Sequence, residues 1–173
     1  MKPAMRRQRG FTMVELITVM VLIGVLAAIG IPRLMGSDTT GTLVFGEHVV
    51  NAVRHAHKTA IARRRLVCAT LSGKTVRLRI RETPGLPVAG GAACTLGIGV
   101  SDTEYDSTNG STVEGRGGFA GAASVALFFH PDGSITRDAA GTTFVNPADT
   151  LQIMDGGAAQ RTITMEGTTG YVQ

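Results

Sequence analysis

The stretch Phe11–Ile31 decides most of what this chain can become. Of its 21 residues only Thr12, Glu15 and Thr18 are polar. A helix of that length spans about 30 Å, the thickness of a bilayer core. Lys2, Arg6, Arg7 and Arg9 precede the stretch and no basic residue lies within it. That asymmetry predicts a cytoplasmic N-terminus, with everything from Arg33 onward across the membrane. A secretory signal peptide has a shorter apolar core, roughly 7–15 residues, and a small-residue cleavage site. Here Gly30-Ile31-Pro32-Arg33 stands where that site would be. A plain anchor fits the length but leaves Glu15 unexplained. An ionisable group in a membrane helix costs about 2.5–3.5 kcal/mol at the centre and less near an end. Either it has a partner or it lies close enough to the interface to snorkel.

The formal net charge of +4 belongs to the leader. Four of the 17 basic residues precede Gly10, whereas all 13 acids follow it, so the rest of the chain is formally neutral. The overall basic balance therefore says nothing of a nucleic-acid partner for the body. Within the body, Arg54 to Arg81 holds nine basic residues and no acid, and acids dominate from Glu82 on. One face is expected to be basic and another acidic.

The stretch Arg9-Gly10-Phe11-Thr12-Met13-Val14-Glu15 resembles the class III signal of type IV pilins and type II secretion pseudopilins. A basic leader ends in Gly, Phe-Thr follows, and Glu is fifth in the mature chain. The resemblance implies cleavage by a prepilin peptidase between Gly10 and Phe11, N-methylation of Phe11, and retention of the apolar segment. It also gives Glu15 a partner, the N-terminal amine of a neighbouring subunit during filament assembly. A carboxylate and an ammonium would then compensate each other in a low-dielectric bundle. Pro32 lacks an N–H and disfavours helix at Ile31, so a helix kinks or opens there. In related filaments the helix melts near this proline; the bland alternative is a helix that ends at the membrane surface. Gly30, Gly36 and Gly41 weaken the same region.

These readings divide the chain into a cleaved leader (1–10), a transmembrane and assembly helix (11–32), and a periplasmic globular domain (33–173). An amphipathic helix is expected at about 43–65, with Val49, Val53, Ala56 and Ala60 on one face. Arg63, Arg64 and Arg65 fall in its last turn, where cations complement the helix dipole. His48, His55 and His57 do not have facial metal-ligand spacing and read as solvated or capping residues. "LVCATLS", Gly73-Lys74 and "TVRLRIRE" read as a hairpin. Its second strand alternates Val76, Leu78 and Ile80 with Arg77, Arg79 and Arg81. The arginine row is either a solvated face or an anionic contact. Pro84 to Gly121 reads as a long loop with a short strand near Cys94–Val100. Asp102, Glu104, Asp106 and Asn109 have a calcium-loop composition without EF-hand spacing, so no metal or other cofactor is expected. "SVALFFH", "PDGS" and "ITRD" form a hairpin, "LQIMD", "GGAAQ" and "RTITM" another, and "GYVQ" closes the sheet. The expected fold is α+β and pilin-like: a long N-terminal helix, half transmembrane and half amphipathic, packed on an antiparallel sheet. The "FFHPDGSIT" hairpin resembles the FimT/GspH branch of the pilins.

Cys68 and Cys94 are the two cysteines. The topology puts both in the oxidising periplasm, where a structural disulfide is expected. Many major pilins carry theirs near the C-terminus, so this pair departs from that pattern. No Gly-x-Ser-x-Gly, phosphate loop or metal set appears, which argues for an assembly protein and against an enzyme. The expected role is a minor pilin or pseudopilin at or near a filament tip, held in the bacterial inner membrane by one span. Its partners would be the prepilin peptidase and other pilins or pseudopilins, of a type IV pilus or a type II secretion pseudopilus. The alternatives are a solitary anchored domain or a DNA-capturing minor pilin. DNA capture would use Arg63, Arg64, Arg65, Arg77, Arg79 and Arg81 on phosphates; the basic tail that the resemblance implies for DNA binders is missing from "EGTTGYVQ", which counts against that mode.

Overall fold

The computed structural model describes residues 11–35, 38–85, 94–99 and 103–173. The leader with Gly10, Gly36 and the calcium-loop candidate Asp102 lie outside them, as do the side chains of Pro32 and Glu104. The chain divides into two compact units, Met1–Asp38 and Thr39–Gln173.

In the first unit, helix α1 covers Met13–Met35. Thr12 caps its start: the Glu15 N–H donates to Thr12 Oγ1 at 3.2 Å. Thr12 and Glu15 stand in the Thr-x-x-Glu spacing of a capping box. The helical backbone runs through Pro32 to Met35 instead of ending at the proline. Proline removes one donor from the ladder, a loss that membrane helices tolerate when the freed carbonyl is otherwise satisfied.

In the second unit, α2 covers Asp38–Arg63 and starts five residues before the expected boundary. The early turn accommodates Gly41 because the side chain of Asn109 occupies the space a Cβ would fill, 2.8 Å from its Nδ2. One turn on, Gly46 admits Arg161 Cδ and Ile153 Cγ1, at 3.1 and 3.5 Å from a notional Cβ. The small faces therefore let loop and sheet close on the helix. Val49, Ala52, Val53, Ala56 and Ala60 are fully buried there.

The first sheet is antiparallel and holds β1 (Val67–Ser72), β2 (Thr75–Ile80), β3 (Leu96–Gly97), β4 (Thr103–Asp106), β6 (Val125–Phe129) and β7 (Ile135–Thr136). Its order is β3-β2-β1-β6-β7, with β4 also on β2. The β1–β2 hairpin turns at Gly73-Lys74 with Ser72 opposite Thr75, as its alternation predicts. Val67, Ala69, Leu71, Val76, Leu78 and Ile80 face the core. The second sheet orders β5 (Thr112–Gly115), β8 (Leu151–Asp155) and β9 (Ala158–Ile163) as β5-β8-β9. It joins the first at the hairpin turn, where the Val113 N–H donates to Gly73 O at 2.7 Å. The β8–β9 turn is Gly156-Gly157, with φ of +56° and +84°, the conformation a two-residue hairpin of this hand requires. Residues of α2 and of both sheets share one apolar core.

Two short strands, β4 and β5, lie inside the segment expected to be a loop. Their sequences, "TEYD" and "TVEG", have weak intrinsic preference; pairing with β2 and β8 creates them.

Candidate functional site

The large apolar side chains from Met13 to Ile31 are exposed, Met13 being 79 % accessible, and so is Phe11 just before the helix, at 84 %. Met13–Ile31 is long and apolar enough to cross a membrane. Glu15 lies in the first turn, where its charge complements the helix N-terminus. The Thr18 hydroxyl donates to Glu15 O at 2.9 Å, so both main-chain groups of Glu15 are engaged within this turn. Sequence reasoning gave Glu15 a distant partner and missed this local role; the Thr-x-x-Glu spacing could have shown it.

The six arginines fall into two groups. Arg77 and Arg79 line an open groove of about 460 Å³ with Thr70, Ser72 and Thr75 on the outer face of the first sheet. The β2–β4 register sets Glu104 opposite Arg77 and Asp106 opposite Thr75. Arg81 lies beyond the end of β2: its N–H donates to Leu66 O at 2.9 Å, and its guanidinium donates to Gly85 O at 3.4 Å. It therefore stands with Arg63, Arg64 and Arg65 at the C-terminal end of α2, not in a row with Arg77 and Arg79.

Cys68 and Cys94 form a disulfide, with Cα atoms 6.0 Å apart. It fastens the segment preceding β3 to the centre of the first sheet.

The tail is folded back onto α2. Thr164 and Gln173 exchange main-chain hydrogen bonds, the Arg54 guanidinium donates to Val172 O at 2.9 Å, and His57 Nε2 donates to Gly133 O at 2.8 Å. His57 is thus a brace, not a solvated residue. At the other end of α2, Thr42 donates to Asp155 Oδ2 at 2.8 Å and accepts from Asn109 Nδ2 at 2.9 Å. Ser111 Oγ donates to Asn109 Oδ1 at 2.8 Å. Asn109 is therefore committed to this polar cluster. Among the described residues no three His, Cys, Asp or Glu side chains gather as a metal site would need.

An alcohol beside an imidazole is the beginning of a nucleophile, and such a pair lies among the described residues. His130 Nε2 lies 2.8 Å from Thr136 Oγ1. Both residues are buried, and the Thr136 hydroxyl donates to Asp138 O at 2.7 Å. The hydroxyl proton is thus spent on a carbonyl, His130 is the donor, and no substrate can reach either. Burial depresses the His130 pKa, against the pull of Asp132 and Asp138. Burial would raise the Asp138 carboxyl, but the Thr142 and Thr143 N–H groups outweigh it and hold it at about 2. Asp138 thereby organises the loop that follows β7, while Asp132, accepting from Ser134, organises the β6–β7 turn.

Residues 5–31 match the family of the prokaryotic N-terminal methylation motif. The type II secretion system core protein G of Klebsiella pneumoniae is 54 % identical over 33 residues, which are 19 % of this chain and 24 % of that relative. The chain therefore matches about a quarter of that relative's length. Two crystal structures of the type IV minor pilin FimU of Pseudomonas aeruginosa are similar to this chain. One has a TM-score of 0.50 at 17 % identity, covering 79 % of this chain and 90 % of the other. The second has a TM-score of 0.47 at 18 % identity, covering 76 % and 90 %.

Proposed function

We propose that this chain, a type IV pilin or pseudopilin in its N-terminal motif and its fold, is a minor filament subunit placed at or near the tip. One observation carries the reading: a methylation motif leads directly into an exposed apolar helix, and a pilin-like sheet domain follows. Such a helix has no packing of its own to justify its length. A bilayer first, and a bundle of like helices later, would bury it.

In this reading the prepilin peptidase cuts after Gly10 and methylates Phe11. The helix holds the subunit in the inner membrane with the body in the periplasm. Glu15 then meets the amine of a neighbouring subunit. Pro32 supplies a weak point in the helix for that transfer. The test is mass spectrometry of the protein recovered from its native membrane. A chain beginning at N-methyl-Phe11 is expected; one beginning at Met1 would end the reading. Glu15→Ala is expected to be processed normally yet fail to enter filaments, and unchanged pilus or secretion output would remove its partner role.

DNA capture is a second reading with one observation in its favour, the Arg77–Arg79 groove with its three hydroxyl neighbours. The register of Glu104 and Asp106 beside that groove weighs against it, as does a tail without cations. Phosphate contacts would make binding fall steeply with salt. No binding of duplex DNA by the full-length protein at low salt would dismiss it.

A further inference from the structure

We infer that Asn109-Gly110 is a self-modifying site: the Asn109 side-chain amide is lost through a cyclic imide, and the product frees its loop from the start of α2. The chain has three asparagines, Asn51, Asn109 and Asn146, followed by Ala52, Gly110 and Pro147. Ring closure uses the main-chain nitrogen of the following residue as its nucleophile. Pro147 has no N–H to give up. Asn51 lies inside α2, where the helix fixes the main chain on both sides of it. Gly110 has an N–H, no Cβ to obstruct the approach, and an exposed position with φ +88°. Asn109 itself is half-buried.

The Asn109 carbonyl is polarised by donors from both neighbouring serines. Ser107 Oγ donates to Asn109 Oδ1 at 2.9 Å, Ser111 Oγ at 2.8 Å and the Ser111 N–H at 3.3 Å. Donors so placed stabilise the negative charge that this oxygen gains when Cγ becomes tetrahedral. The Ser111 N–H bond also folds the side chain back along the Gly110 peptide, toward its nucleophile. Lys74 Nζ lies 3.9 Å from the place a Cβ would take on Gly110. Its ammonium favours loss of the Gly110 amide proton. The Gly110 nitrogen bonds to Asn109 Cγ and gives its proton to water. The Cγ–Nδ2 bond breaks, Nδ2 takes a proton from water, and ammonia leaves. A second water opens the imide at either carbonyl, which yields aspartate or isoaspartate.

The product undoes the contact that Asn109 makes. Asn109 Nδ2 donates to Thr42 Oγ1 at 2.9 Å, and the buried Thr42 hydroxyl donates its own proton to Asp155 Oδ2 at 2.8 Å. A carboxylate at position 109 has no N–H to offer. It leaves two carboxylates converging on one hydroxyl proton, and like charges so close repel. The same side chain fills the space that Gly41 leaves open on α2. The conversion therefore loosens the loop from the first turns of the helix, and it runs one way.

Full-length protein in detergent micelles is aged at neutral pH, digested, and each asparagine peptide is weighed by mass spectrometry. Asn109 is expected to convert to a mixture of aspartate and isoaspartate while Asn51 and Asn146 stay intact. The same protein aged in denaturant, without the donors around Oδ1, converts more slowly at Asn109. Lys74→Glu and Ser107→Ala each slow the folded reaction by roughly tenfold. Asn109→Asp, which installs the acid with the parent main chain, lowers the melting temperature by about 2–6 °C. An intact Asn109, a faster reaction in denaturant, or a rate unmoved by both Lys74→Glu and Ser107→Ala would overturn the site. An Asn109→Asp variant as stable as the parent would overturn the release.

Discussion

Gly170→Ala tests how the tail is held against α2. Gly170 has φ +71° in a closed position: a Cβ there would collide with His57 Nε2 and lie 2.6 Å from Gly133 O. Those two atoms are themselves hydrogen-bonded at 2.8 Å, so the methyl group must wedge between donor and acceptor. The left-handed backbone costs a non-glycine residue about 1–2 kcal/mol. Breaking the His57–Gly133 bond adds about 1 kcal/mol. The expected loss is about 2–3 kcal/mol, or a fall in melting temperature of about 6–15 °C for a body of this size. Scanning calorimetry of the full-length protein in detergent measures it. His57→Ala removes the colliding ring and should cost about 1 kcal/mol alone. Because the two substitutions share one contact, the double variant should lose less than their combined cost. An unmoved melting temperature in Gly170→Ala, or full additivity in the double variant, would refute the wedge.

Three further outcomes are expected. Cys68→Ser with Cys94→Ser opens a link across 26 residues and should cost about 3.5 kcal/mol on the chain-entropy relation, read as a lower denaturant midpoint. Thermal stability should fall as pH drops below about 6.5, because the unfolded chain takes a proton that buried His130 resists. His130→Asn should flatten that slope. A second loss should follow below about pH 4, as the depressed Asp132 and Asp138 carboxyls are protonated. Asp149→Asn should cost about 2–3 kcal/mol. It removes a buried carboxylate that accepts from Gly118 N–H at 2.6 Å and Asn146 N–H at 3.0 Å and stands 3.6 Å from Arg137. Faster amide exchange at Gly118 would mark the loosened turn.

Periodicity made the regular parts of this fold legible. Val76, Leu78 and Ile80 alternate so cleanly with arginines that only one face could be buried, and the neighbouring Gly73-Lys74 fixed the register. Elements created by contact were not legible. "TEYD" becomes a strand only because β2 has an open edge beside it. Nor was the split of the arginines: a row of three in sequence became two over a groove and one beyond the end of β2, donating to Gly85 O.

Glycine shows most clearly why spacing runs out. In sequence, Gly41 looks like a weak point near a membrane boundary. In the fold it is where Asn109 reaches the helix, and Asn109 brings Thr42, Ser111 and Asp155 into one polar cluster. Gly30 has the same composition-level signal, yet nothing lies within 4 Å of its notional Cβ. One glycine accommodates a neighbour within its own body, whereas the other has nothing within 4 Å of its notional Cβ among the described residues. An added methyl at Gly41 must therefore register in the stability of the isolated protein. At Gly30 it meets no neighbour within 4 Å, so beyond the ordinary helix gain of about 0.5–1 kcal/mol a packing effect requires other helices to close around α1. The contrast between them separates folding from assembly using two residues the sequence alone cannot tell apart.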